Sequence, residues 1–191
     1  MSRCSIEVVS RTHPAFKRTS DFIKGQFHEC RQLVAKRWAT RHINSADFLI
    51  LSTRVSRVSR SEENHYEVCG FGVVHSKPES MYLDIVCSSH RQGRMVIEAA
   101  ENLAASKNKP LVTLKALNNV IGWYKKLGYN RTNNDCNPKT DSIGIPVVPK
   151  GDSKSGYPMS KCLTKDTTTN TQKSSLLGKT RRVSASKNSH R

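Results

Sequence analysis

The order of hydrophobic and polar residues predicts alternating strands and helices over the first 163 residues. Strand-type runs rich in β-branched residues alternate with period two, whereas apolar residues from Phe16 to Trp38 recur at helical spacing. That helical region is interpreted as two helices or as one helix broken near Gly25. The predicted strands cover residues 5–9, 48–58, 66–75, 81–87, 111–117 and 157–163, a further strand begins at Tyr129, and two later helices cover residues 96–105 and 118–127.

Three of the predicted strands, covering residues 48–87, are separated only by short polar turns and read as an antiparallel meander. Gly70 and Gly72 interrupt the second of them, which predicts a bulge or a close backbone approach. Along the third strand, alternation from Leu83 and Ile85 places Asp84 on the opposite face from those apolar residues, so a solvated strand residue is one interpretation of Asp84.

The remaining segments have compositions that do not favour a packed core. Residues 133–156 are rich in Asn, Asp, Pro, Lys and Gly and are predicted to form a loop or insertion. From residue 164 onward Thr, Ser, Asn and Lys dominate, so residues 164–191 are predicted to be a disordered basic tail. We therefore expect one domain over residues 1–163 and a tail.

The formal net charge of +17 indicates an anionic partner or a cationic extension. We expect the tail to add non-specific attraction to nucleic acid or acidic surfaces, while a nucleic-acid surface on the basic N-terminal helices is a second interpretation. The charge favours an anionic acceptor, such as an acidic peptide, a nucleotide or an RNA-bound amine, over a polyamine.

The six cysteines are widely scattered, and no Cys/His cluster has the spacing of a zinc finger, so no metal site is predicted. Cys69 and Cys87 lie inside predicted strands, where a free cysteine acts as a small hydrophobe. No apolar run resembles a signal peptide or reaches transmembrane length. We expect a reduced, soluble, intracellular protein, cytoplasmic by default, with the nucleus left open.

Residues 81–128 contain the densest chemistry. A strand delivers a turn containing Gly93, Arg91 and Arg94 onto the start of a helix, which is an arrangement that holds a pyrophosphate. The helix that follows the next strand contains Asn119 and Tyr124 and ends at a glycine.

These two segments resemble the GCN5-related N-acetyltransferase (GNAT) family. His90-Arg91-Gln92-Gly93-Arg94-Met95 corresponds to the acetyl-CoA pyrophosphate loop, although His90 and Met95 depart from the family pattern. Asn119 through Tyr124 to Gly128-Tyr129 matches the asparagine-then-tyrosine helix. The resemblance implies the acyl-CoA N-acyltransferase fold of the α/β class. This is a mixed, mostly antiparallel sheet with helices on both faces and two central parallel strands splayed around the cofactor.

The resemblance also implies an N-acetyltransferase that moves the acetyl group of acetyl-CoA to a primary amine by direct attack in a ternary complex. Tyr124 would be the general acid for the CoA thiolate and Asp84 the general base. Glu67, His75 and a water relay are alternative bases. Acetyl-CoA contacts are implied for the backbone of Ile85, Val86 and Cys87, for Arg91, Gln92, Gly93, Arg94, Met95 and Val96, and for Asn119, which alternatively caps its helix.

A second hypothesis belongs to a different functional class. The departures at His90 and Met95 are also compatible with a binding or regulatory protein on a degenerate form of this fold. In that case the basic tail would carry the function by contacting nucleic acid or acidic partners.

Overall fold

A six-stranded mixed sheet forms the centre of the computed structural model, which describes residues 4–26, 35–57, 64–89, 92–131 and 156–163. The predicted element order is confirmed except for the strand expected from Tyr129, and the helical region after the first strand contains two separate helices. The elements are β1 (Ser5–Ser10), α1 (Phe16–Gln26), α2 (Lys36–Ser45), β2 (Phe48–Arg57), β3 (Asn64–Ser76), β4 (Ser80–Ser88), α3 (Gly93–Ser106), β5 (Leu111–Ala116), a 3₁₀ turn (Asn118–Val120), α4 (Ile121–Lys126) and β6 (Tyr157–Cys162).

The strands lie in the sheet in the same order as in the sequence, β1-β2-β3-β4-β5-β6. The predicted meander is confirmed, because β2, β3 and β4 pair antiparallel. Among the described strands only β4 and β5 pair in parallel, and α3 supplies the crossover that a parallel connection needs. The predicted fold class, a mixed and mostly antiparallel sheet with two central parallel strands, is therefore confirmed.

Each face of the sheet packs against its own group of helices. On one face, α3 buries Val96 and Ile97 against the sheet residues Ile50 and Leu83. On the other face, α1 and α2 contribute a second core in which Ile43 packs with residues of β2, β3 and β4. Burying each of these aliphatic side chains stabilises the fold by about 1.5–3 kcal/mol, so α3 on one face and α1 and α2 on the other are anchored by ordinary hydrophobic burial.

The glycines of β3 allow two close approaches, as predicted. A Cβ on Gly72 would lie 2.8 Å from Cγ1 of Val96, so the missing side chain lets α3 lie directly on the strand. A Cβ on Gly70 would lie 2.9 Å from the carbonyl oxygen of Cys87 in the neighbouring strand. Cys69, the residue before Gly70, has no partner in the β2 register, which is the predicted bulge.

The chain after β5 departs from two predictions. Neither Asn118 nor Asn119 caps a helix with its side chain, since Leu117 and Val120 occupy the N-cap positions and make no side-chain cap. The strand predicted from Tyr129 is limited to one bridge between Asn130 and Ser160. Tyr129 is fully buried, so core packing accounts for its position in the fold.

The cysteines differ from the expectation of reduced thiols. Cys69 is free and buried, as predicted, but Cys87 and Cys162 are disulfide-bonded. Cys162 pairs with Leu111 of β5, and Leu111 pairs with Ser80 at the first residue of β4. Cys87 lies near the other end of β4, so the distance between Cys87 and Cys162 is too long for a disulfide between them. The spacing of the cysteines gave no sign of these bonds.

Several predictions lie outside the described residues. These are the loop interpretation of residues 133–155, the tail at 164–191, and the first two loop residues His90 and Arg91. Within the described residues, no helix is both long and apolar enough to span a membrane.

Candidate active site

A cleft opens where β4 and β5 stop pairing. The parallel ladder runs from Ser80 with Leu111 to Leu83 with Leu114 and then ends, although both strands continue. At that point β4 contains a bulge, because Leu83 and Ile85 pair with consecutive residues of β3 and Asp84 has no partner. The bulge turns β4 away from β5 and leaves a cleft of about 900 Å³ between the two strands.

Beyond the end of the parallel ladder, no described strand pairs with the backbone N–H and C=O groups on the edge of β4 that faces this cleft. The amide of Ser89 donates to the carbonyl of Cys69 (2.8 Å), which fixes the alternation of the antiparallel β3–β4 ladder. By that alternation the N–H and C=O of Val86 point away from β3 and into the cleft. The backbone groups of Ile85 and Cys87 point toward β3.

The start of α3 closes one end of the cleft. Gly93 lines it, and a Cβ there would lie 2.9 Å from Oγ of Ser88 and 3.3 Å from the Trp123 ring, so a larger residue would require both side chains to shift. The amides of Met95 and Val96 both donate to the carbonyl of Gln92. Among the described amides at the start of α3, those of Gly93 and Arg94 therefore remain as candidate donors to a phosphate.

The side chains of the predicted pyrophosphate loop lie mostly outside the cleft lining. Arg94 is exposed and forms an ion pair with Glu98 (2.7 Å), Val96 is in the core, and Met95 is half-buried. A methionine therefore fits at the start of α3, and the described part of the loop offers backbone groups more than side chains.

The segment after β5 supplies the opposite wall. Tyr124 is buried and lines the cleft, and burial raises the pKa of its hydroxyl to about 12. Its ring packs edge-on against Trp123 and Tyr129, with centroid distances of 4.8 and 5.8 Å. Asn119 is exposed at the cleft and makes no cap, so its amide is available to a ligand.

Asp84 is the centre of a cluster on the α2 side of the cleft. Its side chain is only 4% exposed, and Oδ2 accepts hydrogen bonds from Nδ1 of His42 and from Nε2 of His75 (3.2 Å). Burial and the Asp84 carboxylate together raise the pKa of Tyr82 to about 12. A buried carboxylate requires such partners, so the alternative of a solvated strand residue is wrong.

The bulge also corrects the predicted face of Asp84. Leu83 packs in the α3 core whereas Ile85 packs in the α1–α2 core, so the strict alternation that the prediction assumed is interrupted between them. As a result the Asp84 side chain reaches His42 of α2, on the same side as Ile85.

His42 is the side chain that sequence reasoning missed. It lines the cleft, and the Trp38 ring stacks on its imidazole with a centroid distance of 3.8 Å. Because Nδ1–H is donated to Asp84, the lone pair of the imidazole is on Nε2. Among the described residues, Nε2 of His42 has no hydrogen-bond partner. Trp38 and His42 are four residues apart on α2, a spacing that places them on one helix face but carries no functional signal.

The alternative base Glu67 is held elsewhere. It forms an ion pair with Arg54 on the neighbouring strand at 2.5 Å, and it does not line the cleft. His75 is close to Asp84 but lies behind it, since it is absent from the cleft lining.

The cleft thus brings together seven of the twelve predicted site residues, which are Asp84, Ile85, Val86, Cys87, Gly93, Asn119 and Tyr124. The four others in the described chain, Gln92, Arg94, Met95 and Val96, do not line it.

Comparison with known proteins finds solved acetyltransferases of similar fold. No protein-family model and no curated protein matches the chain. The catalytic domain of the Tetrahymena GCN5 histone acetyltransferase, solved in complex with coenzyme A, is similar at 12% identity over 85% of this chain and 95% of that one, with a TM-score of 0.53.

Two further solved structures are similar. Ard1 from Thermoplasma volcanium is 17% identical over 85% of this chain and 99% of that one, with a TM-score of 0.51. An acetyltransferase of the GNAT family from Staphylococcus aureus is 11% identical over 84% of this chain and 100% of that one, also with a TM-score of 0.51. At these identities the comparisons show the fold.

Proposed function

We propose that this chain, which has the fold of the GCN5-related N-acetyltransferases, transfers the acetyl group of acetyl-CoA to a primary amine by direct attack in a ternary complex. The observation that carries this proposal is the cleft between β4 and β5. It combines an open backbone edge, a protonated tyrosine and a histidine bonded to a buried carboxylate.

The residues present fit a pantetheine thioester. An extended amide-containing chain is satisfied by strand-like hydrogen bonds, and the N–H and C=O of Val86 point into the space that β5 has left. The Asn119 amide would add a contact from the opposite wall. The amides of Gly93 and Arg94 at the start of α3 would face the pyrophosphate.

Acetyl-CoA supplies an activated acetyl group, and the chain supplies polarisation and proton transfer. The Val86 N–H would polarise the thioester carbonyl, a preorganised electrostatic effect that does not depend on side-chain motion. Because the amide is fixed by the β3–β4 ladder, it is aimed before the substrate arrives.

Proton acceptance is assigned to His42. His42 lines the cleft in which an ammonium acceptor must lose a proton before attack. By accepting from Nδ1, Asp84 holds the tautomer whose lone pair is on Nε2. Asp84 therefore acts as the positioning residue, and the proton goes to the imidazole. This assigns the base of the reaction differently from the expectation that Asp84 itself accepts the proton.

Proton donation is assigned to Tyr124. Since burial raises the pKa of its hydroxyl to about 12, the group is protonated at neutral pH and can give its proton to the thiolate that leaves. In the balanced reaction the amine nitrogen bonds to the acetyl carbon and the carbon–sulfur bond breaks. An ammonium acceptor loses two protons, of which the first passes to His42 and then to solvent. The second leaves the nitrogen after attack and restores the Tyr124 hydroxyl, whose own proton has gone to the CoA thiolate.

The test is an acceptor panel assayed by thiol release from acetyl-CoA, with the acetylated amine identified by mass spectrometry. With an active acceptor, His42→Gln and Tyr124→Phe should each lower kcat by about 10²–10⁴-fold, the usual range for a lost acid or base. Affinity for acetyl-CoA should be nearly unchanged in both variants.

His13→Gln is the matched control, because His13 is exposed and does not line the cleft. If both site variants keep wild-type turnover, the assigned acid and base are wrong. If no acceptor in the panel releases thiol although acetyl-CoA binds, the binding-protein hypothesis is favoured.

A further inference from the structure

We propose that His42, His75 and Asp84 bind a divalent late first-row metal, represented by Zn²⁺, and that the occupied site inhibits acetyl transfer. The three side chains come from α2, β3 and β4, and their ligand atoms all lie within 4.8 Å of one another. Neutral imidazoles with one carboxylate form a donor set that zinc uses in three-ligand open sites.

The geometry is close to that of a bound ion. Ligand atoms around a tetrahedral zinc are about 3.4 Å apart, given bonds of about 2.1 Å. Nε2 of His75 and Oδ2 of Asp84 are 3.2 Å apart, and Nδ1 of His42 is in contact with the same oxygen. Small side-chain rotations therefore suffice to place all three atoms on one metal.

The surroundings favour a cation at this point. The Asp84 side chain is 4% exposed, and the part of the chain that the structure describes gives it only histidines and Tyr82 as partners. A divalent ion would compensate this buried carboxylate without requiring either imidazole to be charged. His42 and Asp84 also line the cleft, so the fourth position would be open to water or to an acceptor.

Occupancy has a chemical consequence for the proposed base. A metal on Nδ1 of His42 leaves the ring proton on Nε2, and an imidazole in that form has no lone pair for the acceptor's proton. Zinc should therefore stop the transfer without displacing acetyl-CoA. This inhibition depends on the proposed acetyl transfer, whereas metal binding does not.

Binding is tested first, on the full-length protein freed of metal by a chelator and without acetyl-CoA. Calorimetry with Zn²⁺ and visible absorption with Co²⁺ should show one tight site per chain, with bands typical of four- or five-coordinate Co²⁺. Asp84→Asn and His75→Ala should each weaken binding by at least about ten-fold, because each removes a ligand.

The controls separate this site from other donors. His13→Gln removes an exposed histidine, and Cys4→Ser removes a thiol beside Cys69. The pKa of the Cys69 thiol is raised to about 12, mainly by burial and secondly by its hydrogen bond with Cys4. Neither should alter binding. If Cys4→Ser abolishes the site, or if Asp84→Asn and His75→Ala bind as the wild type does, the proposal is overturned.

A measurement on the wild-type protein covers the case in which a variant fails to fold. In the nuclear magnetic resonance spectrum, Zn²⁺ should shift the imidazole signals of two histidines in slow exchange at one equivalent, and signals that do not move would contradict the assignment.

Inhibition is measured separately, by assaying turnover with Zn²⁺ bound. We expect bound Zn²⁺ to abolish turnover and to leave the affinity for acetyl-CoA intact. If Zn²⁺ binds at the cluster and turnover is unchanged, only the inhibitory role is overturned.

Discussion

At the scale of single residues, the cleft depends on a few side chains whose surroundings determine their chemistry. Tyr124 is a phenol kept neutral by burial, and Asp84 is a carboxylate kept out of water by two imidazoles. The asparagine-then-tyrosine pattern was sufficient to locate Tyr124 and Asn119 from the sequence, because those residues lie on one short segment. His42 was not found, since it lies 42 positions before Asp84 and only tertiary packing brings them together.

The buried tyrosines make stability depend on alkaline pH. Burial raises the pKa of Tyr124 to about 12 in the folded chain, whereas an unfolded tyrosine titrates near about 10. Above about pH 10 the unfolded state loses this proton first, so the free energy of unfolding falls as the pH rises toward about 12. Below about pH 10 the contribution is fully present.

Replacing Tyr124 with phenylalanine should remove one such group. Between about pH 9 and about pH 11.5 the wild type should lose about 2 kcal/mol more stability than Tyr124→Phe, as measured by urea denaturation. Tyr66→Phe is the control, because Tyr66 is 54% exposed. Parallel pH profiles for wild type and Tyr124→Phe would show that the Tyr124 hydroxyl titrates normally.

At the scale of elements, the bulge in β4 determines the site and the sequence does not reveal it. Period-two alternation predicted β4 correctly as a strand but placed Asp84 opposite Ile85, because alternation assumes a regular pleat. In contrast, the glycines in β3 did indicate an irregular strand with close neighbours, since a glycine inside a strand needs such a reason.

The packing of α3 on β3 is tested by Gly72→Ala. The added methyl would lie 2.8 Å from Cγ1 of Val96, so we expect a loss of about 1–3 kcal/mol in the free energy of unfolding. Gly122→Ala is the matched control, because nothing lies within 4 Å of that Cβ and alanine favours α4 by up to about 1 kcal/mol. Equal effects of both substitutions, measured by denaturant unfolding, would rule out the tight contact.

At the scale of the whole molecule, the order and type of the elements followed from the sequence because each buries a regular apolar pattern. Val96 and Ile97 mark the buried face of α3, and the continuous run from Leu111 to Leu114 marks a central strand. The antiparallel pairing of β2, β3 and β4 followed from their short polar connections, whereas the parallel pairing of β4 with β5 was accessible only through the resemblance. The disulfides at Cys87 and Cys162 were not accessible at all.

The whole-molecule charge of +17 complements a cofactor that carries several phosphates. We expect the electrostatic part of acetyl-CoA binding to weaken as salt is raised, whereas contacts of the pantetheine with the strand edge should not. The affinity that remains at high salt therefore reports on the cleft itself.

The most direct test of the account is calorimetric titration of the full-length protein with acetyl-CoA at moderate salt. We predict one site per chain, several-fold weaker binding in Asn119→Ala, and unchanged binding in Asn118→Ala, an exposed neighbour that does not line the cleft. Equal affinities in both variants would place acetyl-CoA elsewhere. No binding at about 1 mM acetyl-CoA, a free energy weaker than about −4 kcal/mol, would contradict the proposed function.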